Sequence, residues 1–209
     1  RFLENAIVEF NYNSEIFIYN KKEALNNLII DKISSHVCNK LFKANLFDNI
    51  KFPIGKKYED LLTTFKLIEK CSKVVETKSE LYGYLIRSES ITENLSVQSL
   101  ENYIDAVNQR YQYFMKKYPD MKKNIMLGRF NYIFTYYLKV SNSCIKDLMF
   151  FEKLNEEYKF LKKNIKKLGI KNYLKGDSTK NKILKIVLLI SNRLFYKLMI
   201  LKRGINENK

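Results

Sequence analysis

Apolar residues recur at helical spacing along much of the chain, and this periodicity is the main guide to its secondary structure. Residues 21–31 place four apolar side chains on one helical face: Ala24, Leu25, Leu28 and Ile29. Residues 37–45 carry a shorter pattern of the same kind, with Val37, Leu41 and Phe42. A third helix is predicted from Leu61, because Leu61, Phe65 and Ile68 share a face.

The second half of the chain is more strongly helical. A long apolar stripe runs along it from residue 100 to 118: Leu100, Tyr103, Ile104, Val107, Tyr111, Phe114 and Tyr118. Further helices are predicted at about 121–140 and 145–168, the latter ending at Gly169, with a loop over 171–180. Strands are expected only within residues 1–20, 73–76 and 81–86. The predicted fold class is therefore mainly α with a minor β component.

The last predicted helix, 181–203, contains the apolar runs IVLLI and LMIL, interrupted by basic residues. A membrane-spanning helix needs about 20 predominantly apolar residues, so this segment is better suited to lie in the plane of a membrane surface. The alternative is a terminal helix that packs on its neighbours and keeps a solvated basic face. The sequence leaves both open.

Charge divides the chain into two parts. Residues 1–94 hold 14 Lys and Arg against 13 Asp and Glu, whereas residues 95–209 hold 24 against 9. We therefore predict two regions, 1–94 and a basic helical region 95–209. A basic surface attracts nucleic acid or an anionic membrane, and charge alone does not choose between them. Three widely spaced cysteines with no CxxC indicate reduced thiols in a cytosolic protein.

Glu59 and Asp60 stand where the third helix should begin, after Pro53 and Gly55. Acidic residues are common at helix N-termini, because their carboxylates accept hydrogen bonds from free backbone N–H groups and meet the positive end of the helix dipole. Taken locally, the pair reads as a helix start. Its wider surroundings suggest more.

Residues 24–92 resemble the second half of the catalytic domain of bacterial family 2 glycosyltransferases, which have the GT-A fold. Spaced elements in a fixed order carry the resemblance: Asn39-Lys40-Leu41 with Phe42-Lys43, Phe52-Pro53 and Gly55, Tyr58-Glu59-Asp60 and a helix, paired strands with Leu81, Tyr82 and Tyr84, and Arg87 with Ser90 and Thr92. The resemblance implies that region 1–94 is the acceptor-side C-terminal part of a GT-A α/β domain and that region 95–209 is a helical extension.

The family transfers a sugar from a nucleotide-diphosphate sugar to an acceptor hydroxyl, usually with inversion. By resemblance Asp60 is the general base, since a hydroxyl is a poor nucleophile until a positioned base takes its proton. Glu59 would orient the loop or the acceptor. Arg87, in an R-x-x-S-x-T arrangement, could face the departing diphosphate. The donor- or acceptor-binding set is completed by residues that border this site in the family: Lys40, Asn39 and Ser90.

Several features depart from the family pattern. Cys38 stands where the family often has Trp, and His36, the one histidine, has no second metal ligand near it in sequence. No Asp-x-Asp motif occurs, and the nucleotide-binding half of a GT-A domain has no counterpart here. The chain also begins at Arg1 rather than Met. We therefore expect a part of a longer enzyme, which would use Mg or Mn, whereas this part alone would bind no metal and would be inactive.

The resemblance implies a bacterial surface-polysaccharide enzyme, such as one for capsule, lipopolysaccharide or teichoic acid glycan. Its partners would be a nucleotide-sugar donor and a glycan or lipid-linked acceptor. We expect a cytoplasmic protein, peripheral on the inner face of the plasma membrane through residues 181–203, with a homo-oligomer possible. The alternative is a non-enzymatic basic helical module for nucleic acid or another acidic partner, which the absence of an RNA-binding signature or zinc motif disfavours. An adaptor that oligomerises through residues 96–168 is a third hypothesis.

Overall fold

The computed structural model describes residues 2–3, 12–86, 96–141 and 148–207. It is mainly helical with a small β component, which confirms the predicted fold class. Its strands are β1 (Phe2–Leu3), β2 (Ile16–Asn20), β3 (Lys73–Thr77) and β4 (Leu85–Ile86). Its α-helices are α1 (Lys21–Ile29), α2 (Glu59–Lys70), α3 (Val97–Lys117), α4 (Lys122–Ser141), α5 (Leu148–Leu168), α6 (Ile170–Leu174), α7 (Thr179–Ile190) and α8 (Asn192–Glu207).

The chain divides into two compact units. One comprises residues 1–95 and 101–113, and the other comprises 96–100 and 114–209, so α3 contributes residues to both. The sequence-based boundary between residues 94 and 95 stays a prediction.

In the first unit α1 forms as its sequence predicts. The four apolar residues of its predicted face are buried: Ala24, Leu25, Leu28 and Ile29. The helix begins with a capping box, in which the Asn20 side chain accepts from the Glu23 N–H at 3.0 Å and the Glu23 carboxylate accepts from the Asn20 N–H at 2.9 Å. This reciprocal cap fixes the point at which β2 ends and α1 starts.

The strand pairing differs from the one expected. β3 pairs antiparallel with β2, with Ile18 opposite Val75, whereas β4 pairs in parallel with β1. The Ser79 hydroxyl donates to the Asn13 carbonyl at 2.6 Å and accepts from the Asn13 N–H at 3.0 Å, and so extends the β2–β3 contact beyond Thr77. Residues 81–84 form no strand, and the predicted pairing of 73–76 with 81–86 is wrong, because β2 takes the place of the expected partner beside β3.

The short helix predicted over residues 37–45 is also wrong. The chain turns at residues 38–39 and then forms a 3₁₀ turn, Ala44–Phe47. Leu41, which should lie on the apolar face of such a helix, is fully exposed. The aromatic residues form a local cluster instead, since the Phe47 ring lies 5.7 Å from that of Phe42 and 6.3 Å from that of Phe52. Local ring packing therefore replaces the helical periodicity.

In the second unit α4 packs against α5, α6 and α8. Its core is rich in aromatic rings in edge-to-face contact: Phe130 with Tyr173, Phe134 with Phe195, and Tyr137 with Phe195. The helices predicted at 121–140 and 145–168 are present, and Gly169 follows the second with φ +83° and its N–H on the Ile165 carbonyl, which confirms it as the helix end.

The end of the chain corrects two predictions. Residues 171–180 are not simply a loop, because α6 occupies Ile170–Leu174. The single helix predicted over 181–203 is two helices, α7 and α8, separated at Ser191, whose backbone is extended. Lys185, predicted on the basic face, is buried. Its ammonium donates to Asp177 at 2.7 Å and to Asn131 at 2.8 Å, and lies 4.4 Å from the centre of the Tyr173 ring. In the part of the chain described by the structure, no helix is long and apolar enough to cross a membrane.

Candidate functional site

Helix α2 begins with Glu59 and Asp60, as the sequence predicts, and the chain enters it through strained backbone. Gly55 has φ +72° and Tyr58 has φ +62°, a left-handed conformation that is unfavourable for a bulky non-glycine residue. The Tyr58 ring packs edge-on against Tyr103, with ring centres 5.0 Å apart, and this contact helps to hold the strained turn. Strain of this kind is concentrated at functional sites.

Asp60 occupies the second position of α2 and is partly buried. Its carboxylate accepts a hydrogen bond from the Leu61 N–H at 2.7 Å, so one oxygen is engaged with the helix N-terminus. Burial raises the pKa of Asp60 and the adjacent Glu59 carboxylate adds to the rise, whereas the Leu61 hydrogen bond and the nearby Arg110 guanidinium oppose it. A carboxylate with a raised pKa is a better proton acceptor than an ordinary surface aspartate.

The segment between α1 and the 3₁₀ turn is fastened to this site through Ser35. The Ser35 carbonyl accepts from the Thr64 hydroxyl of α2 at 2.6 Å, and its own hydroxyl accepts from the Arg110 guanidinium of α3 at 2.7 Å. Arg110 also donates to the Leu28 carbonyl, the last turn of α1, at 2.7 Å. Buried Ser35 is thus hydrogen-bonded to α2 and α3, which keeps the polar residues on both sides of it in the chain close to the start of α2.

Those polar residues give the site a mixed charge. Lys40 lies within electrostatic range of both Asp60 and Asp31, and burial lowers the pKa of its ammonium. Asp31, with φ +64°, is within range of Arg110, His36 and Lys40. The Lys40 ammonium donates to the His36 carbonyl at 2.7 Å and to the Asn39 side chain at 2.8 Å. The fold therefore brings three carboxylates, Glu59, Asp60 and Asp31, together with the cations of Lys40 and Arg110 at one end of α2.

Four of the six predicted site residues lie in this region: Asp60, Glu59, Lys40 and Asn39. Arg87 and Ser90 lie outside the described residues. The roles assigned to all six stay predictions. Sequence reasoning missed Arg110, which is separated from Asp60 by 50 positions and has no motif of its own, and Asp31, whose left-handed backbone carries no sequence signal. His36, which the sequence predicted to be a satisfied or exposed histidine rather than a metal ligand, is exposed, and its backbone carbonyl accepts from the Lys40 ammonium.

The residues at this site have little capacity to hold a metal ion. Among the residues that the structure describes, no group of three or more His, Cys, Asp or Glu side chains could do so. The carboxylates at the start of α2, those of Glu59, Asp60 and Asp31, are likewise mixed with Lys40 and Arg110, whose cations repel a metal ion. These residues do not fit a divalent ion.

One comparison with known proteins returned a match. Over 90 residues, 43% of this chain, the sequence is 29% identical to glycosyltransferase GlyA of Streptococcus pneumoniae serotype 4. The matched stretch spans only 13% of the length of that relative. No family model matches the chain, and no solved structure matches it. The chain is thus similar over part of its length to part of a glycosyltransferase.

Proposed function

We propose that the chain is part of a glycosyltransferase that moves a sugar from a nucleotide-diphosphate sugar to an acceptor hydroxyl with inversion. The observation that carries the proposal is Asp60, a partly buried carboxylate with a raised pKa at the start of α2, behind a strained turn. The partial similarity to a glycosyltransferase supports the same class of reaction. We further assign the chain to family 2, as the acceptor-side half of a GT-A domain followed by a helical extension.

Asp60 is proposed as the general base. One carboxylate oxygen accepts from the Leu61 N–H, which fixes the orientation of the group and leaves the second oxygen for the acceptor hydroxyl. As that hydroxyl attacks the anomeric carbon, its proton passes to Asp60 and the nucleotide diphosphate leaves from the opposite face of the sugar. Burial raises the pKa of this carboxyl and so makes it a stronger proton acceptor, while the Leu61 hydrogen bond and the nearby charge of Arg110 oppose the rise.

The remaining site residues are given supporting roles. Glu59, adjacent to Asp60, would orient the loop or the acceptor. Lys40 and Asn39 are linked to each other by a hydrogen bond at 2.8 Å and would contact the acceptor or the diphosphate. Arg87 and Ser90 are proposed for the departing diphosphate, whose developing charge a fixed cation would stabilise.

We place the enzyme in bacterial surface-polysaccharide synthesis, with a glycan or lipid-linked acceptor. It would be cytoplasmic and peripheral on the inner face of the plasma membrane. A divalent ion, Mg or Mn, is proposed for the longer enzyme only. Such an ion would neutralise diphosphate charge, and no step assigned to the residues of this chain passes through it.

A direct assay tests the proposed reaction. The full-length protein that contains this chain would be incubated with a panel of nucleotide sugars and membrane-derived or oligosaccharide acceptors, and nucleoside diphosphate release would be measured. We expect release with one donor that depends on the acceptor. Absence of turnover with every donor, combined with salt-dependent nanomolar binding of RNA or DNA, would instead favour a nucleic-acid module.

The pH dependence of that turnover should carry the signature of Asp60. Because burial raises the pKa of this carboxyl, protonation should remove the base at a higher pH than for an exposed aspartate. We expect kcat/KM to fall about tenfold per pH unit on the acid side, with its midpoint above the ordinary aspartate range. An acid limb at the ordinary pKa of an exposed aspartate would contradict this assignment.

A further inference from the structure

We propose that the outward faces of α7 and α8 form a docking surface for an anionic lipid bilayer. Both helices are already seated in the second unit through their inward faces, where Leu188, Phe195 and Met199 are buried. Their outward faces nevertheless carry aliphatic side chains instead of the polar residues expected of a solvated face. This surface lies in the second unit and does not depend on the chemistry proposed for Asp60.

The exposed aliphatic residues follow helical spacing on each helix. On α7 they stand at i, i+3 and i+7, and on α8 at i, i+4 and i+7: Ile183, Ile186 and Ile190, then Leu194, Leu198 and Leu201. Each is between 42% and 66% exposed. α7 and α8 pack against each other, so the two rows belong to neighbouring helices. Regular apolar rows of this length on a protein surface indicate a binding partner.

The charge of the segment identifies the partner. Helices α7 and α8 together contain seven Lys and Arg against one carboxylate, Glu207. One of the seven, Lys185, is buried beside Asp177, whereas Lys180, Lys182, Arg193 and Lys197 are exposed near the aliphatic rows. Aliphatic side chains can enter the acyl boundary of a membrane while flanking lysines and arginines reach the anionic headgroups.

Other partners fit these residues less well. In a symmetric dimer the same basic surface would face itself, and the single carboxylate of the two helices cannot offset the repulsion of seven cations. Nucleic acid would bind the cations but would leave the six aliphatic side chains without apolar contacts. The break at Ser191 divides the segment into two short amphipathic helices, a geometry suited to lying on a surface.

Vesicle binding tests the surface. The 209-residue chain would be sedimented with vesicles of phosphatidylcholine alone and of phosphatidylcholine mixed with phosphatidylglycerol. We expect binding to the mixed vesicles that weakens as salt is raised, and little binding to the neutral ones. The double variant Ile190→Ser and Leu201→Ser, which leaves the charge unchanged, should bind at least about tenfold more weakly, because two apolar side chains no longer enter the bilayer.

A second double variant, Lys182→Gln and Arg193→Gln, should lose the preference for anionic vesicles and keep the fold. The matched controls are Leu41→Ser, a fully exposed leucine in the first unit, and Lys51→Gln, an exposed lysine there; both should bind as wild type does. Circular dichroism and thermal unfolding would verify that each variant is folded. The proposal would be overturned if wild type did not bind vesicles, or if a folded Ile190→Ser and Leu201→Ser variant bound them as strongly as wild type. It would also be overturned if this variant abolished a dimer or an RNA complex formed by wild type.

Discussion

Asp60→Asn is expected to lower turnover of the full-length enzyme by about 10² to 10⁴, the usual contribution of a positioned general base. Asparagine keeps an oxygen that can accept from the Leu61 N–H, which in the wild type is 2.7 Å from the carboxylate. It has nearly the same size and shape as aspartate, but it cannot take a proton from the acceptor hydroxyl. The measurement is kcat with the donor identified from the nucleotide-sugar panel, together with the KM for the acceptor.

Stability separates this catalytic role from a structural one. Because the folded-state pKa of Asp60 is raised, the folded protein holds this proton more tightly than the unfolded chain does. Ionisation of Asp60 therefore lowers stability as pH rises through the window between its unfolded and folded pKa values. Asp60→Asn removes that charge and keeps the hydrogen bond, so its thermal midpoint at neutral pH should equal or exceed that of wild type.

The control for this variant is Glu59→Gln, which changes the neighbouring carboxylate at the first position of α2. If Glu59 orients the acceptor, Glu59→Gln should lower turnover by about tenfold or less. If Glu59 only stabilises the start of α2, the loss of turnover should be smaller still. Turnover by Asp60→Asn at the wild-type rate would remove Asp60 from the mechanism. Equal losses in both variants, with a lowered thermal midpoint, would reduce the pair to a helix start.

The start of α2 combines features that lower stability. Tyr58 is held in the left-handed region, and Asp60 is a partly buried carboxylate whose ionisation is unfavourable. A protein selected for stability alone would be expected to have Gly at position 58 and an exposed residue at position 60. Their coincidence at one helix start, beside Lys40 and the Ser35 hydrogen bonds, is the physical reason to regard this end of α2 as functional.

The sequence predicted correctly those helices whose formation depends mainly on the residues within them. Helices α1, α2, α3 and α5 were recognisable because each carries a one-sided apolar pattern long enough to specify both its type and its face, whereas α4 is buried on several faces and was recognisable only by its length and apolar content. Residues 37–45 were not, because three aromatic rings within eleven residues can satisfy an apolar pattern by packing locally. The break at Ser191 escaped prediction as well, since serine is tolerated within helices and the residues on both sides favour a helix.

The candidate site divides in the same way. Asp60 could be proposed from the sequence because the residues around it form an ordered set resembling a known family. The partners of Ser35 could not, since Thr64 and Arg110 reach it across 29 and 75 positions. Buried Lys185 and Arg110 are further examples, because a basic residue on an apolar pattern is ordinarily assigned to the solvated face. The positions of Ser35, Arg110 and Lys185 depend on tertiary contacts, which the local periodicity of the sequence does not encode.

Arg110→Met is expected to lower the free energy of unfolding by about 2 to 6 kcal/mol, because two buried acceptors lose a donor at about 1 to 3 kcal/mol each. In the wild type the guanidinium donates to the Ser35 hydroxyl and to the Leu28 carbonyl, both at 2.7 Å. Methionine fills a similar volume without donors, so a cavity is not the cause of the loss. Chemical denaturation followed by circular dichroism would measure it.

Gln109→Met is the matched control, because it places the same side chain on the exposed neighbouring position of α3 and should change stability by no more than about 0.5 kcal/mol.

A second measurement on Arg110→Met concerns the proposed general base, Asp60. The charge of Arg110 lowers the pKa of Asp60, so removing it should move the acid limb of kcat/KM to higher pH, whereas Arg110→Lys should move it less. An Arg110→Met protein as stable as wild type, with an unchanged acid limb, would show that neither the hydrogen bonds to Ser35 and Leu28 nor the guanidinium charge supports the start of α2.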